Sequence, residues 1–494
     1  MKRNLAGLMR KVARKVSEVD TDKGLMATMA AGIEAAKARH RYQPTPTWSE
    51  GEPLRLLLAG YTGSRNTGAD VRVEAMIRQF RHLFGDDHLE LSILTNDPLL
   101  TRGYFRTVEQ LELPKIFPRF IVQAVHEHHG VIACEGSMFK SKFANALSTM
   151  MVGALGTAAA EDKLSIAYGG EAGGMDRTLE ALVGRYCADA VVIARNANSV
   201  RVLGDLGIRA EQGTDTAWTF EPAEDAVGER ILREQGWDGE QDVLVVCPIN
   251  AFWWPVRPDL QKGVLHAISG AHERDHYASV YFHTGGPEVD RKQAAYIAQL
   301  ADGVRRFTEG RDVFVAAVGM EQLDRSACQA LVDTLGGGAV IVSDEHDMYA
   351  MVSAIRQARW MVSSRYHAIV TSMPAGVLSI GVTMDERIPN LMADRGQPEL
   401  ALRVDDPALG QKMAHALDQV DADPAGTQRG IEQCVVDSIE RMGWMGARLV
   451  QLVRAKHPTF PFRDGLGDVD RPWDHLPPLS PDLASLVARH RSAS

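Results

Sequence analysis

Cysteine is scarce: five residues in 494 (Cys134, Cys187, Cys247, Cys328 and Cys434), with no CxxC pair. That excludes a disulfide framework and fits buried free thiols in a reducing cytoplasm. Long apolar runs are also missing. The longest charge-free stretch, residues 143–160, reads FANALSTMMVGALGTAAA. Its Ala, Gly, Ser and Thr content suits a helix packed inside an α/β lobe better than a membrane span. The basic start MKRNLAGLMRKVARKVSEV holds too short an apolar stretch for a signal-peptide core. Positive charge is not in excess either. With 54 Lys and Arg against 64 Asp and Glu, the net charge is −10, which argues against a broad nucleic-acid surface. No His, Cys and carboxylate spacing resembles a zinc or iron site, and no repeat of solenoid length occurs.

What is present is an ordinary globular composition, 45% apolar and 24% charged. The chain is too long for one core, so two lobes are expected. Residues 1–50 read as a basic helical extension. Leu5, Leu8, Met9, Val12 and Val16 share one helical face, ahead of which and among which stand Lys2, Arg3, Arg10, Lys11, Arg14 and Lys15. Such a helix suits peripheral contact of residues 1–20 with the inner face of an anionic membrane. It suits equally docking on the body of the protein, or an oligomerisation arm. Residues 51–225 alternate buried-type strands (LRLLLAG, LELSILT, GVIAC, LSIAY, AVVIA) with helix-period segments, the pattern of a parallel sheet. A polar, charged break near 221–240 precedes a second set in residues 238–405: VLVVC, SVYFH, DVFVAAV, AVIVS, WMVSS and LSIGV. Residues 406–456 read as helices, and 457–494 as a Pro-rich, extended tail. The expected architecture is α/β: two doubly wound Rossmann-like lobes with the active site in the cleft between them, at the carboxyl ends of the strands.

Six strand-end segments carry candidate chemistry. GYTGSRNTGAD (60–70) joins a strand to a helix, and its glycines, with Asn66 and Gly68, suit either an anion loop or a plain turn. ACEGSMFKSKF (133–143) places Glu135 and Gly136 at a strand end, Glu135 being a candidate carboxylate or a helix cap. IARNANS (193–199) offers Arg195, whose fork suits a carboxylate or phosphate. In GTDTAW (213–218) Asp215 reads most simply as an Asx-turn residue. CPINAFWWP (247–255) sets Asn250 and two tryptophans beyond a strand, for sugar stacking or for a lobe interface. VSSRYHAIVTSMPAGVLSIGVTMDER (362–387) is the richest, with Arg365, His367 and Arg387 delivered by two successive strand ends.

Together these residues resemble the polysaccharide pyruvyl transferase family. RYHA (365–368) matches its Arg-x-His-Ala helix start, and MDER (384–387) its Asp-x-Lys element with Arg387 for the lysine. ARNANS (194–199) keeps Arg195 and Ser199 but has Asn196 for Asp. NTGAD (66–70) is one residue longer than the family's loop. The resemblance implies a glycosyltransferase-B-like fold and no cofactor. The donor substrate would be phosphoenolpyruvate, and the acceptor a sugar of a cell-surface glycan or its precursor, ketalised in the cytoplasm. It implies Arg195, Arg365 and Arg387 as anion ligands, with Asn66, Gly68, Gly136, Ser199 and Asn250 around the substrates. His367 becomes the general acid, and Glu135 or Asp70 the acceptor of the hydroxyl proton. A nucleotide-sugar glycosyltransferase and a non-catalytic glycan-binding protein are the rival readings, and an oligomer is compatible with all three.

Overall fold

A computed structural model describes residues 21–493; the basic segment 1–20, expected to touch a membrane, lies outside the described residues. Seven strands build the first lobe: β1 (Leu54–Ala59), β2 (Leu89–Thr95), β3 (Glu109–Glu112), β4 (Gly130–Ala133), β5 (Leu164–Gly170), β6 (Val191–Ala194) and β7 (Ala210–Gln212). They pair in parallel in the order β3-β2-β1-β4-β5-β6-β7. Leu56 faces Leu91 on one side and Gly130 on the other. Helices cover both faces, which is why β4 reads as an unbroken apolar run and β1 as one interrupted only by Arg55. The helix Thr67–Phe84 shows the construction. Asn66 caps it by accepting from Ala69 N, and Val73, Met76, Phe80 and Leu83 are buried beneath it.

The second lobe repeats the plan. Its main sheet uses β8 (Asp242–Cys247), β12 (Val313–Gly319), β13 (Ala339–Val342), β14 (Trp360–Ser363), β15 (Leu378–Thr383) and β16 (Ala401–Arg403) in the parallel order β13-β12-β8-β14-β15-β16. The run SVYFH, expected as one of these strands, is not among them. Ser279 adopts a left-handed φ of 56° and turns the chain, so that only Tyr281–Phe282 (β11) is extended. It pairs antiparallel with β9 (Arg257–Pro258) and β10 (His276–Ala278) in a small separate sheet. This sheet and the helix Leu260–Ser269 form an insertion on the second lobe.

The chain ends close on the first lobe. Helix Thr21–Tyr42 packs on helix Asn145–Ala160, where Gly156 leaves room for Ile33 and the side chain of Met29 lies against Gly153. The charge-free run is thus a buried helix of small residues, and no helix of the described residues is long and apolar enough to cross a membrane. The helix Pro424–Lys456 returns from the second lobe, and Gln79 Nε2 donates to Met442 O (2.9 Å) and His475 O (3.0 Å). The tail is not extended throughout: Pro481–Ala493 is helical. All five cysteines are free and buried.

Candidate active site

Both sheets reverse strand order beside their first strand, β1/β4 in one lobe and β8/β14 in the other, and the strand ends there face a common cleft. Main-chain and side-chain bonds join its edges. Thr67 N donates to Met320 O (2.8 Å), Val256 N to Phe143 O (2.9 Å) and Ser343 Oγ to Arg65 O (2.6 Å). Between the lobes lies a cavity of about 410 Å³.

Two arginines from neighbouring strands of the second lobe line it. Arg365, two residues past Ser363 at the end of β14, gives Nε and Nη2 to Asp324, with Nε–Oδ2 at 2.8 Å, and Nη2 also lies 2.9 Å from Glu321. Its Nη1 has no protein acceptor among the described residues. Arg387, beyond β15, gives only Nε to Asp385 (2.8 Å) and lies over the Phe143 ring, leaving both Nη groups without an acceptor among the described residues. Glu321 faces them from the end of β12. Its Oε1 accepts from Tyr61 Oη (3.0 Å), which is also 2.7 Å from Tyr277 Oη. Burial, with Glu321 beside it, pushes the Tyr61 phenol well up, so this hydroxyl stays protonated. Asn66 and Glu135 also line the cavity. Glu135 Oε1 accepts from Ser137 N (3.1 Å). Trp254 lines it too and meets Phe143 and Tyr277 edge-on, whereas Trp253 stacks on His283.

Behind the cavity sits a buried ionic network that separates several expected ligands from it. Asp215 Oδ2 lies 3.0 Å from Arg72 Nε, 3.1 Å from Arg195 Nη1 and 3.2 Å from His367 Nε2. Arg195 also pairs with Glu171, which faces Lys140, and its guanidinium lies over the Tyr366 ring at 4.3 Å. Burial alone would raise the Asp215 carboxyl, but Arg72, His367 and Arg195 hold it well below the usual carboxylate range. Its Oδ1 accepts from Ala217 N, so the Asx-turn is real as well.

Arg195 is therefore a paired structural cation with its side chain 2% exposed, not an open anion ligand. Ser199 is fully buried and bonds Ala172 and Asn196, which keeps it from substrate. Gly68 is needed because a Cβ there would collide with the His367 ring, and Gly136 because a Cβ would come 2.8 Å from Arg195 Nη1. Asp70 is buried with neither carboxylate oxygen hydrogen-bonded, and burial pushes its pKa well up. It is not among the residues that line the cavity. Burial also pushes the His367 imidazole down, against the general-acid role that needs imidazolium at neutral pH. Asn250 donates to Leu323 O (3.3 Å) and Ser326 Oγ (3.1 Å) in a small adjoining pocket beside Arg365 and Arg387.

Sequence reasoning passed over Tyr61, Glu321, Asp324 and the partner carboxylate Glu171. Glu321 had a signal: it stands two residues past the apolar run DVFVAAVG, where strands deliver side chains to the cleft. Among the described residues no cluster of three His, Cys, Asp or Glu is placed to hold a metal ion.

Residues 176–386 match the family model described as polysaccharide pyruvyl transferase. No curated protein matches the chain. Among solved structures, MnaA of S. aureus with UDP aligns with a TM-score of 0.52 at 10% identity, over 82% of this chain and 96% of that one. A protein assigned as UDP-N-acetylglucosamine 2-epimerase from Listeria monocytogenes aligns with a TM-score of 0.50 at 9% identity, over 83% of this chain and 98% of that one. At such identities the likeness is one of fold, two Rossmann-like lobes of the glycosyltransferase-B kind.

Proposed function

With residues 176–386 forming a domain of the polysaccharide pyruvyl transferase family, we propose that this protein moves the enolpyruvyl group of phosphoenolpyruvate onto two hydroxyls of a sugar acceptor. Two acceptor oxygens bond to C2 of the donor, and the bond from C2 to the phosphate oxygen breaks. One hydroxyl proton ends on the methylene carbon, which becomes a methyl group, and the other leaves with phosphate. The observation that carries this reading is the pair Arg365 and Arg387. Each has guanidinium N–H groups without an acceptor among the described residues, and both line one cavity where a compact donor with carboxylate and phosphate would sit.

The groups facing the cavity that can move protons are Glu321, Glu135 and Tyr61. Glu321 is the best placed base: Arg365 and Tyr61 fix its orientation, and an acceptor hydroxyl in the cavity has direct access to it. His367, Arg72 and Arg195 hold Asp215 and so the floor behind the site. The aromatic strip Phe143, Trp254 and Tyr277 gives a sugar ring a stacking face. The test is phosphate release from phosphoenolpyruvate with a panel of sugar acceptors, together with thermal stabilisation by phosphoenolpyruvate and by UDP-sugars. Stabilisation by UDP-sugars alone would replace this reading with glycosyl transfer.

A further inference from the structure

By chain the insertion belongs to the second lobe, but its outer edge is fastened to the first. It consists of the helix Leu260–Ser269, none of whose residues is buried, and three strands of two or three residues each. Those strands pair only with one another, and apart from isolated contacts the insertion packs on no other helix or strand of the described residues. The chain leaves it through Gly286, at a φ of 120° that suits glycine. A unit with so little buried surface opens at much lower cost than the sheets beside it. What holds it down is a short set of polar contacts with the first lobe. Val256 N donates to Phe143 O at its foot (2.9 Å). Further out, Tyr281 Oη donates to Asp22 Oδ1 (2.9 Å), and Tyr277 Oη lies 2.7 Å from Tyr61 Oη. Seated in this way, the insertion closes one side of the cavity with Tyr277, Ala278, Ser279 and Tyr281.

The direction of the hydrogen bonds ties that seat to the chemistry. A phenol has one proton to give. Tyr61 gives its proton to Glu321 Oε1 (3.0 Å), so in the tyrosine pair Tyr277 is the donor and Tyr61 the acceptor. The chain of bonds therefore runs one way, from the insertion through the first lobe to the carboxylate past the end of β12. Burial pushes both phenols up, so both keep their protons. With Tyr277 withdrawn, water entering the opened side would compete for the Tyr61 hydroxyl, and Glu321 would lose its fixed partner.

We propose that residues 256–284 form a lid over the cavity, and that Tyr277 is a positioning residue which, acting through Tyr61, sets Glu321 when the lid is seated. The role given to Glu321 rests on the transfer reading above; the lid does not. An acceptor hydroxyl then meets an oriented carboxylate only after the lid has shut out water, and product leaves when the lid lifts.

The experiment compares the full-length protein with Tyr277→Phe and Asp22→Ala. Hydrogen–deuterium exchange follows the lid, calorimetry follows phosphoenolpyruvate affinity, and phosphate release follows turnover. Each substitution removes one latch, so amides of the insertion should exchange about two- to tenfold faster, while those of the central strands stay unchanged and show that the variant is folded. Donor affinity should hold in both, since neither residue touches Arg365 or Arg387. Tyr277→Phe should lower kcat by about three- to tenfold, whereas Asp22→Ala, which loosens the lid but leaves Tyr61 its donor, should keep kcat within about twofold. Insertion amides that exchange at unprotected rates in the wild type, or at rates that neither substitution changes, overturn the lid. Equal kcat in the two variants overturns the positioning role of Tyr277. Faster lid exchange in both variants, without turnover on any acceptor, keeps the lid and overturns the transfer reading together with the role of Glu321.

Discussion

Arg387 lies over the ring of Phe143, its Cζ 4.7 Å from the ring centroid, so a cation of the second lobe rests on an aromatic of the first at the mouth of the cavity. With Nε held by Asp385, the two Nη groups are set at a fixed angle to whatever enters. Arg387→Gln removes the charge and leaves Asp385, whose side chain is 5% exposed, without its cation. Affinity for phosphoenolpyruvate should fall about tenfold to a hundredfold, the value of one or two charged hydrogen bonds, and the unpaired carboxylate should lower the melting temperature as well. Donor-induced thermal shifts and calorimetry measure both.

Arg195→Met should behave in the opposite way. It leaves Glu171 and Asp215 short of a buried partner, which costs about 3–5 kcal/mol in urea unfolding. A stable Arg195→Met protein with weakened donor binding would restore the residue to the ligand role that its sequence context suggests.

Gly68 and His367 should be energetically coupled. Gly68→Ala drives a methyl group into the imidazole and should cost about 1–3 kcal/mol. In a His367→Ala background most of that cost should vanish, so the double-mutant cycle gives a coupling above about 1 kcal/mol. Additive effects would mean that the helix shifts instead of the ring.

Stability should decline as pH falls from about 6.5 towards 4. Burial pushes His283 down to about 4, and burial together with Arg55 does the same to His129. Both ring nitrogens of His283 lack a hydrogen-bond partner. Each ring is neutral when folded and takes up a proton more readily when unfolded. The stability it contributes is therefore complete above about 6.5 and lost as pH drops through this window. His283→Phe keeps the stacking on Trp253 and should recover about 2 kcal/mol at pH 4.5 relative to pH 7.5, read from urea midpoints.

The central strands were legible because each is buried on both faces: LRLLLA and WMVS carry their assignment in composition alone. The edge strands Glu109–Glu112 and Ala210–Gln212 were not, since a strand with one neighbour and an exposed face is free to be polar. SVYFH misled for the converse reason, being apolar because it packs a small insertion. Arg365 and Arg387 followed from their positions past strand ends. What those positions hide is partnership. Arg195 has the same local signature as Arg365, and only the arrival of Glu171 and Asp215 from other strands turns it inward.

The return of the helix Pro424–Lys456 to the first lobe has a consequence for synthesis. Gln79 finds its carbonyls on Met442 and His475, Thr214 N meets Met445 Sδ, and Arg448 closes on Glu211. The ribosome makes residues 54–212 first, yet the side of that sheet meant for this helix stays bare until residues 424–456 are made. At roughly 5–20 residues per second that interval lasts tens of seconds. The second lobe, begun later, completes its own sheet at residue 403. A premature stop before residue 424 would thus lay bare the lobe farthest from the truncation as well as the one beside it.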